Sequence, residues 1–163
     1  MSDPGALRAA IEERLRGQIA GLTVVRGREF HGRALSADMP AVTGVLQSHF
    51  GAGLVLMAGD DRRSGPGCFH VHYVFAHPGE DWFAHITTEA AAKAPSLVSV
   101  AQQSYPASRF EREIRDLFGI TPVGHPDPRP LVRHGFWPDD YYPLRRDAQP
   151  PAFHDDGRPF PFG

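Results

Sequence analysis

The chain has 163 residues, of which 41% are hydrophobic and 22% are charged, and these values are typical of one soluble domain that can close its own core. Seventeen Lys and Arg against nineteen Asp and Glu leave a formal net charge of −2, which offers phosphate backbones no general attraction. Nucleic acid is therefore excluded as the expected main partner.

The apolar runs and the N-terminal residues indicate whether the chain crosses a membrane or is secreted. The longest apolar run, residues 54–58, is far shorter than the roughly 18 residues that a membrane-spanning helix needs. The first residues, MSDPGALRAAIEERLRG, alternate charged with apolar positions and lack the continuous apolar centre of a secretory signal. We therefore expect no membrane span and a cytoplasmic location.

The first third of the chain is expected to contain two helices and two short strands. Apolar residues recur every four positions from Leu7 to Ile19, after an Asp3-Pro4 pair that can cap a helix and start its first turn. Two strands and a second helix are then expected at residues 22–25, 30–35 and 40–50.

The middle of the chain is expected to form an antiparallel meander. Its three strands are expected at residues 54–59, 69–77 and 82–88. In the second strand, FHVHYVFAH, large apolar residues alternate with His70 and His72, so the two histidines share the opposite face. The polar residues 60–67, DDRRSGPG, are expected to form an exposed hairpin connection.

The chain changes character beyond Ile120, where most of its sixteen prolines lie among many aromatic residues. Prolines leave little regular structure, but the aromatic content is too high for a typical disordered linker. We therefore predict an α+β fold with a mainly antiparallel sheet, helices packed on one face and an extended proline-rich C-terminal arm. The compact domain is expected over residues 1–120 and the arm over residues 121–163.

The stretch FEREIRDLFGI near the end of the compact domain predicts a helix of about three turns. Ser108 and Glu111 have the spacing of a capping box, which would start the helix at Arg109, and Gly119 suits its C-terminal turn. Oppositely charged residues recur at i, i+4, which indicates a solvated charged face that supports the helix. The expected pairs are Arg109–Glu113, Glu111–Arg115 and Arg112–Asp116. A catalytic carboxylate pair is the alternative, but Glu111 and Glu113 would point about 200° apart.

The same stretch and the residues after it resemble a known family. The resemblance is carried by Glu111-Arg112-Glu113, Asp116-Leu117-Phe118, His125, Arg129 and Leu131. Their spacing is similar to that of the 30 kDa subunit of respiratory complex I, the NADH:quinone oxidoreductase. The continuation GHPDPRPLVRHGFWPDDYYPLRRD resembles the equivalent part of membrane-bound, complex I-like nickel-iron hydrogenases of the formate hydrogenlyase and hydrogenase-4 types. The resemblance covers residues 95–147.

This resemblance implies a non-catalytic subunit of a membrane-associated electron-transfer complex. Its helix and arm would pack on a large hydrogenase-like (49 kDa-type) subunit, beside a small iron–sulfur subunit, at the cytoplasmic face of the inner membrane. No cofactor is expected in this chain, whereas its partners are expected to carry iron–sulfur clusters and, in a hydrogenase, nickel and iron. The expected interface residues are Glu111, Arg112, Glu113, Asp116, His125, Arg129, Arg145 and Arg146.

An independent metal-dependent enzyme is the competing hypothesis. His70, His72 and His85 lie on neighbouring predicted strands, and three imidazoles with an open position could hold a catalytic zinc ion. Cys68 is the only cysteine, so it cannot form an intrachain disulfide or hold a cluster alone, and it is expected to be a small packing residue. The sequence contains none of the motifs CxxC, GxxxxGK, GxGxxG, GxSxG and HExxH.

Overall fold

The computed structural model describes residues 3–135 and 137–149, which form an α+β fold as predicted. Its helices are α1 (Pro4–Arg14), α2 (Met39–Ser48) and α3 (Ala107–Phe118), with a 3-10 turn at Ser36–Asp38. Its strands are β1 (Ala20–Arg26), β2 (Glu29–Arg33), β3 (Gly53–Arg62), β4 (Cys68–Ala76), β5 (Phe83–Ala91), β6 (Ser96–Val98) and β7 (Thr121–Val123). No helix within these described residues is both long and apolar enough to cross a bilayer.

The main sheet has five strands in the order β1-β2-β5-β4-β3. The predicted meander of β3, β4 and β5 is confirmed, because both of its pairings are antiparallel. The β1–β2 hairpin joins the meander through a parallel pairing of β2 with β5. A second sheet consists of the parallel pair β6 and β7, which flank α3 in the sequence. Strands of three residues give too short a pattern to be predicted from spacing.

The core lies on one face of the main sheet. In β4, four large residues are fully buried on this face, and His70 and His72 lie half-buried on the other, as the alternation predicts. Buried residues of all three helices belong to the same apolar cluster, including Ile11 of α1, Leu46 of α2 and Ile114 of α3. The first helix begins as predicted, because the Asp3 carboxylate accepts a hydrogen bond from the Ala6 backbone N–H and Pro4 fills the first turn.

Two local predictions are wrong. Helix α3 begins at Ala107, two residues before the predicted start, and its N-cap is Pro106 and not Ser108. The capping box does not form because the Glu111 carboxylate bonds to a different part of the chain. The predicted connection of residues 60–67 is also shorter, because β3 continues to Arg62 and the Asp61 side chain is buried.

Residues 124–149 contain no helix or strand in their described part and run along α3. Residues 150–163 of the predicted arm lie outside the described residues, so the extended arm is not confirmed. The division of the chain at residue 120 stays a prediction, and β7, just beyond it, pairs with β6.

Replacement of Phe118 tests the packing of α3 on the sheet. Its ring is buried against Gly59 of β3, where a Cβ atom would lie 2.7 Å from the ring. Phe118→Ala should lower the free energy of unfolding by about 3–5 kcal/mol, because the loss of a buried ring leaves a cavity that the surroundings fill only in part. Tyr105→Ala, at an exposed ring just before α3, should cost less than about 1 kcal/mol. Urea unfolding of both variants measures the difference, and equal losses would contradict this packing.

Candidate docking surface

Two carboxylates of α3 are buried, although both were expected on a solvated face. Glu111 is 0% exposed and Asp116 is 4% exposed. A buried carboxylate is costly unless hydrogen-bond donors surround it, so the partners of each define its role. Glu111 bonds to the domain, and Asp116 bonds to the segment that follows β7.

Glu111 holds the chain just after β6. Its two oxygens accept hydrogen bonds from the Ser99 hydroxyl and the Val100 backbone N–H, both at 2.6 Å. The His125 Nε2 atom lies 3.8 Å from the same carboxylate. Burial raises the pKa of Glu111 above its usual range, and these three neighbours offset only part of that effect.

His125 fixes the start of the following segment to the first turn of α3. Its Nδ1 atom accepts a hydrogen bond from the Asp127 backbone N–H at 2.9 Å, so in the neutral ring the proton is on Nε2. That Nε2–H donates to the Ser108 carbonyl at 3.0 Å. The imidazole is therefore a structural bridge in this structure.

Asp116 accepts three consecutive backbone N–H groups. Those of Leu131, Val132 and Arg133 lie 2.6, 2.9 and 3.2 Å from its Oδ2 atom. Burial alone would raise the pKa of Asp116, but these donors and the Arg115 guanidinium outweigh it, so the pKa lies below its usual value. The ionised Asp116 side chain thus anchors residues 131–133, which belong to no helix or strand.

Two arginines of α3 satisfy the carbonyl groups of the same segment. Arg112 donates to the Arg129 and Pro130 carbonyls, each at 2.9 Å, and to the Asp127 carboxylate at 2.9 Å. Arg115 donates to the Pro128 carbonyl at 2.6 Å. The predicted pairs Glu111–Arg115 and Arg112–Asp116 are therefore wrong, because these four side chains bond to backbone outside the helix.

The C-terminal end of α3 is closed by residues far along the chain. The Leu144 backbone N–H donates to the Leu117 carbonyl at 3.1 Å, and Arg145 Nε donates to the Phe118 carbonyl at 2.7 Å. The Arg145 guanidinium also lies 4.2 Å from the centre of the Tyr142 ring. Gly119 has a φ of 71°, as predicted for the helix end, and a Cβ there would lie 2.5 Å from Arg145.

A second anchor joins the end of the described chain to β3. The buried Asp61 carboxylate accepts hydrogen bonds from Arg63 Nη2 at 2.7 Å and from the Arg146 backbone N–H at 3.0 Å. Arg63 also donates to Asp147 at 3.1 Å. The Arg63 guanidinium holds the pKa of Asp61 well below its usual range.

The eight predicted interface residues therefore divide into two groups. The side chains of five make the internal contacts described above: Glu111, Arg112, Asp116, His125 and Arg145. Glu113 and Arg146 are exposed, and Arg129 is 80% exposed although its side chain also bonds Asp127. A contact of any of the eight with a partner stays a prediction.

A groove beside Glu113 was not predicted. We call it the α3 groove; it is lined by Leu56, Phe110, Glu113, Leu117 and Leu144. Leu56 and Leu144 are exposed, and Phe110 and Leu117 are half-buried. Leu56 reaches this surface because β3 carries a register shift between Leu54 and Leu56, which the sequence does not reveal. Leu144 lies in the stretch GHPDPRPLVRHGFWPDDYYPLRRD, which resembles the hydrogenase subunits, so this resemblance could have marked it as a candidate contact residue.

The three-histidine hypothesis is not favoured by the geometry. His72 Nδ1 lies 2.9 Å from His85 Nε2, which is a hydrogen bond between the rings. Burial lowers the pKa of both rings, and their charged neighbours modify the effect. The metal-ligand atoms that converge among the described residues belong instead to Cys68, His70 and Glu89.

Asp116→Asn tests the anchor. At pH 7 it should lower the free energy of unfolding by about 1–3 kcal/mol, because a neutral amide replaces the carboxylate that accepts three N–H groups. Since the folded pKa lies below the ordinary 3.8, this contribution is present above that pH and is lost as the pH falls through the folded pKa. The difference between wild type and variant in urea unfolding should therefore shrink at low pH. A pH-independent difference, or an equal loss in the control Glu113→Gln, would contradict the assignment.

Known proteins are similar to this chain over most of its length. The sequence model of the family described as respiratory-chain NADH dehydrogenase, 30 Kd subunit, matches residues 34–154. Formate hydrogenlyase subunit 5 of Escherichia coli is 36% identical over 129 residues, which are 76% of this chain and 23% of that relative. NAD(P)H-quinone oxidoreductase subunit J of Synechococcus sp. is 31% identical over 74% of this chain and 67% of its own length.

The fold also recurs in a solved structure. A chain of the membrane-bound sulfane sulfur reductase, an archaeal respiratory membrane complex, superposes with a TM-score of 0.70 and 19% identity over 91% of this chain and 87% of that one. The chain spans about a quarter of the hydrogenlyase subunit, and the family model matches most of the chain. The chain therefore belongs to the respiratory-chain NADH dehydrogenase 30 Kd subunit family.

Proposed function

We propose that this chain is a non-catalytic subunit of a membrane-associated, complex I-like electron-transfer complex, either a hydrogenase or an NADH:quinone oxidoreductase. It docks on a large hydrogenase-like subunit and supports it, beside a small iron–sulfur subunit. Through these partners it is held at the cytoplasmic face of the inner membrane. The names of its relatives, a formate hydrogenlyase subunit and a quinone oxidoreductase subunit, support a place in such a complex.

The α3 groove is the observation that carries this proposal. Exposed apolar surface with a polar rim is typical of protein contact sites, and this groove combines two exposed leucines with the single carboxylate of Glu113. Its walls are α3, β3 and Leu144, whose backbone N–H bonds to the Leu117 carbonyl, so the groove is formed before a partner binds. The matching surface on the large subunit would offer apolar side chains and one Lys or Arg for Glu113.

The internal hydrogen bonds of α3 support a non-catalytic role. A general acid or base must reach a substrate proton, but the Glu111 and Asp116 carboxylates are buried and accept two and three hydrogen bonds from the chain itself. They are positioned to hold the chain together. Glu113, the carboxylate that faces outward, lies in an apolar groove suited to a protein surface.

The proposed role of the α3 groove can be tested by measuring how much large subunit co-purifies with variants of this chain. Leu144→Asp and Glu113→Arg should each lower co-purification of the large subunit with a tagged chain by at least about tenfold, because they place an unmatched charge in the contact. The thermal unfolding temperature of the isolated chain should stay nearly unchanged, since both side chains are exposed. Leu35→Asp, at an exposed leucine away from α3, is the matched control. Undiminished recovery with both groove variants would show that the partner binds elsewhere.

The cofactor proposal has a separate test. Iron–sulfur clusters are usually held by several cysteine thiolates, and this chain has one cysteine. The chain purified under anaerobic conditions should absorb only in the aromatic band and contain no stoichiometric iron, nickel or flavin. A cluster at one per chain, measured by metal analysis and absorption, would overturn the proposal that the partners carry all redox centres.

A further inference from the structure

The outer face of the main sheet, opposite the helices, carries a cluster that the docking function does not use. Cys68 and His70 are two residues apart on β4, so they share this face, and Glu89 of β5 lies directly opposite His70 in the strand register. A thiol sulfur, an imidazole nitrogen and a carboxylate oxygen from these residues all lie within 4.8 Å of one another. Their convergence depends on the pairing of β4 with β5.

The distance between the nitrogen and oxygen ligand atoms is close to that of a zinc coordination shell. Zinc binds nitrogen and oxygen at about 2.0–2.2 Å and sulfur at about 2.3 Å, so tetrahedral ligand atoms lie about 3.3–3.7 Å apart. The His70 Nε2 and Glu89 Oε1 atoms are 3.8 Å apart, which is too long for a hydrogen bond. The Glu89 side chain is 60% exposed, so it has room to turn toward the other two ligands.

The His70 ring supplies an independent sign of a missing ligand. Its Nε2 atom is shielded from solvent and has no hydrogen-bond partner within the described part of the chain. Buried polar atoms are nearly always satisfied, so an unsatisfied nitrogen that faces a thiol and a carboxylate needs an explanation. The nearby cation Arg62 does not supply one, because its guanidinium lies against Asp60 at 3.7 Å.

We propose that Cys68, His70 and Glu89 form a three-ligand Zn²⁺ site on the outer face of the sheet, with water in the fourth position in the isolated chain. The mixed sulfur, nitrogen and oxygen ligands fit zinc, whereas Mg²⁺ and Ca²⁺ take oxygen ligands. The thiolate and carboxylate together neutralise the ion. This site is independent of the proposed docking function, and because zinc has no redox chemistry it leaves the chain redox-silent.

The test is a zinc titration of the full chain, freed of metal and reduced, in competition with a chromogenic chelator. We expect one zinc ion per chain, and Glu89→Gln and His70→Gln should each weaken binding by at least about tenfold, the loss that even a supporting residue can cause. His85→Gln is the matched control, because His85 lies on the same face outside the cluster, and its affinity should equal that of wild type. Cobalt in place of zinc should show a thiolate-to-metal charge-transfer absorption that Cys68→Ser abolishes.

Three results would contradict the proposal. One is zinc affinity that none of the three ligand variants, Cys68→Ser, His70→Gln and Glu89→Gln, lowers. Another is an equal loss of zinc affinity in His85→Gln and His70→Gln, which would assign the zinc to the group of His70, His72 and His85 and not to this cluster. Absence of the cobalt–thiolate absorption in the wild-type chain would also remove Cys68 from the site.

Discussion

The contact between the Asp116 carboxylate and three backbone N–H groups holds the irregular segment after β7 on the domain. Proline-rich backbone cannot pair its own donors and acceptors in a helix or sheet, so other groups must satisfy them. Asp116 accepts the donors at residues 131–133, and Arg112 and Arg115 bond to the carbonyls just before them. The charges of α3 thus fold an irregular segment onto the domain.

This use of charge leaves the proposed contact surface, the α3 groove, mostly apolar. The polar groups of α3 that face the following segment form hydrogen bonds with it. The α3 groove presents two exposed leucines and Glu113. Anchors at Asp61 and at the carbonyl end of α3 hold the far side of the same segment. In the proposed complex, a surface held in this way would be ordered before binding, so a partner would not have to supply the free energy of ordering it.

The sequence predicted elements whose signals are local. The cap at Asp3, the alternation in β4 and the glycine at the end of α3 each depend on a few neighbouring residues. The charges of α3 were misinterpreted because helical spacing shows which side chains can meet, but not which backbone comes close. Glu111 bonds to Ser99 and Val100, and such partners become visible only when the chain is folded. The Cys68, His70 and Glu89 cluster likewise required the register of β4 with β5.

Hydrogen exchange at the amides of Leu131, Val132 and Arg133 in the isolated chain shows whether Asp116 orders this segment without a partner. If the Asp116 carboxylate anchors this segment, these amides should exchange at least about a hundredfold more slowly than in an unstructured peptide, with no partner present. Two-dimensional NMR after transfer into heavy water resolves each amide separately. Exchange at the unstructured rate, with protection only after the large subunit is added, would mean that the partner and not α3 orders this segment.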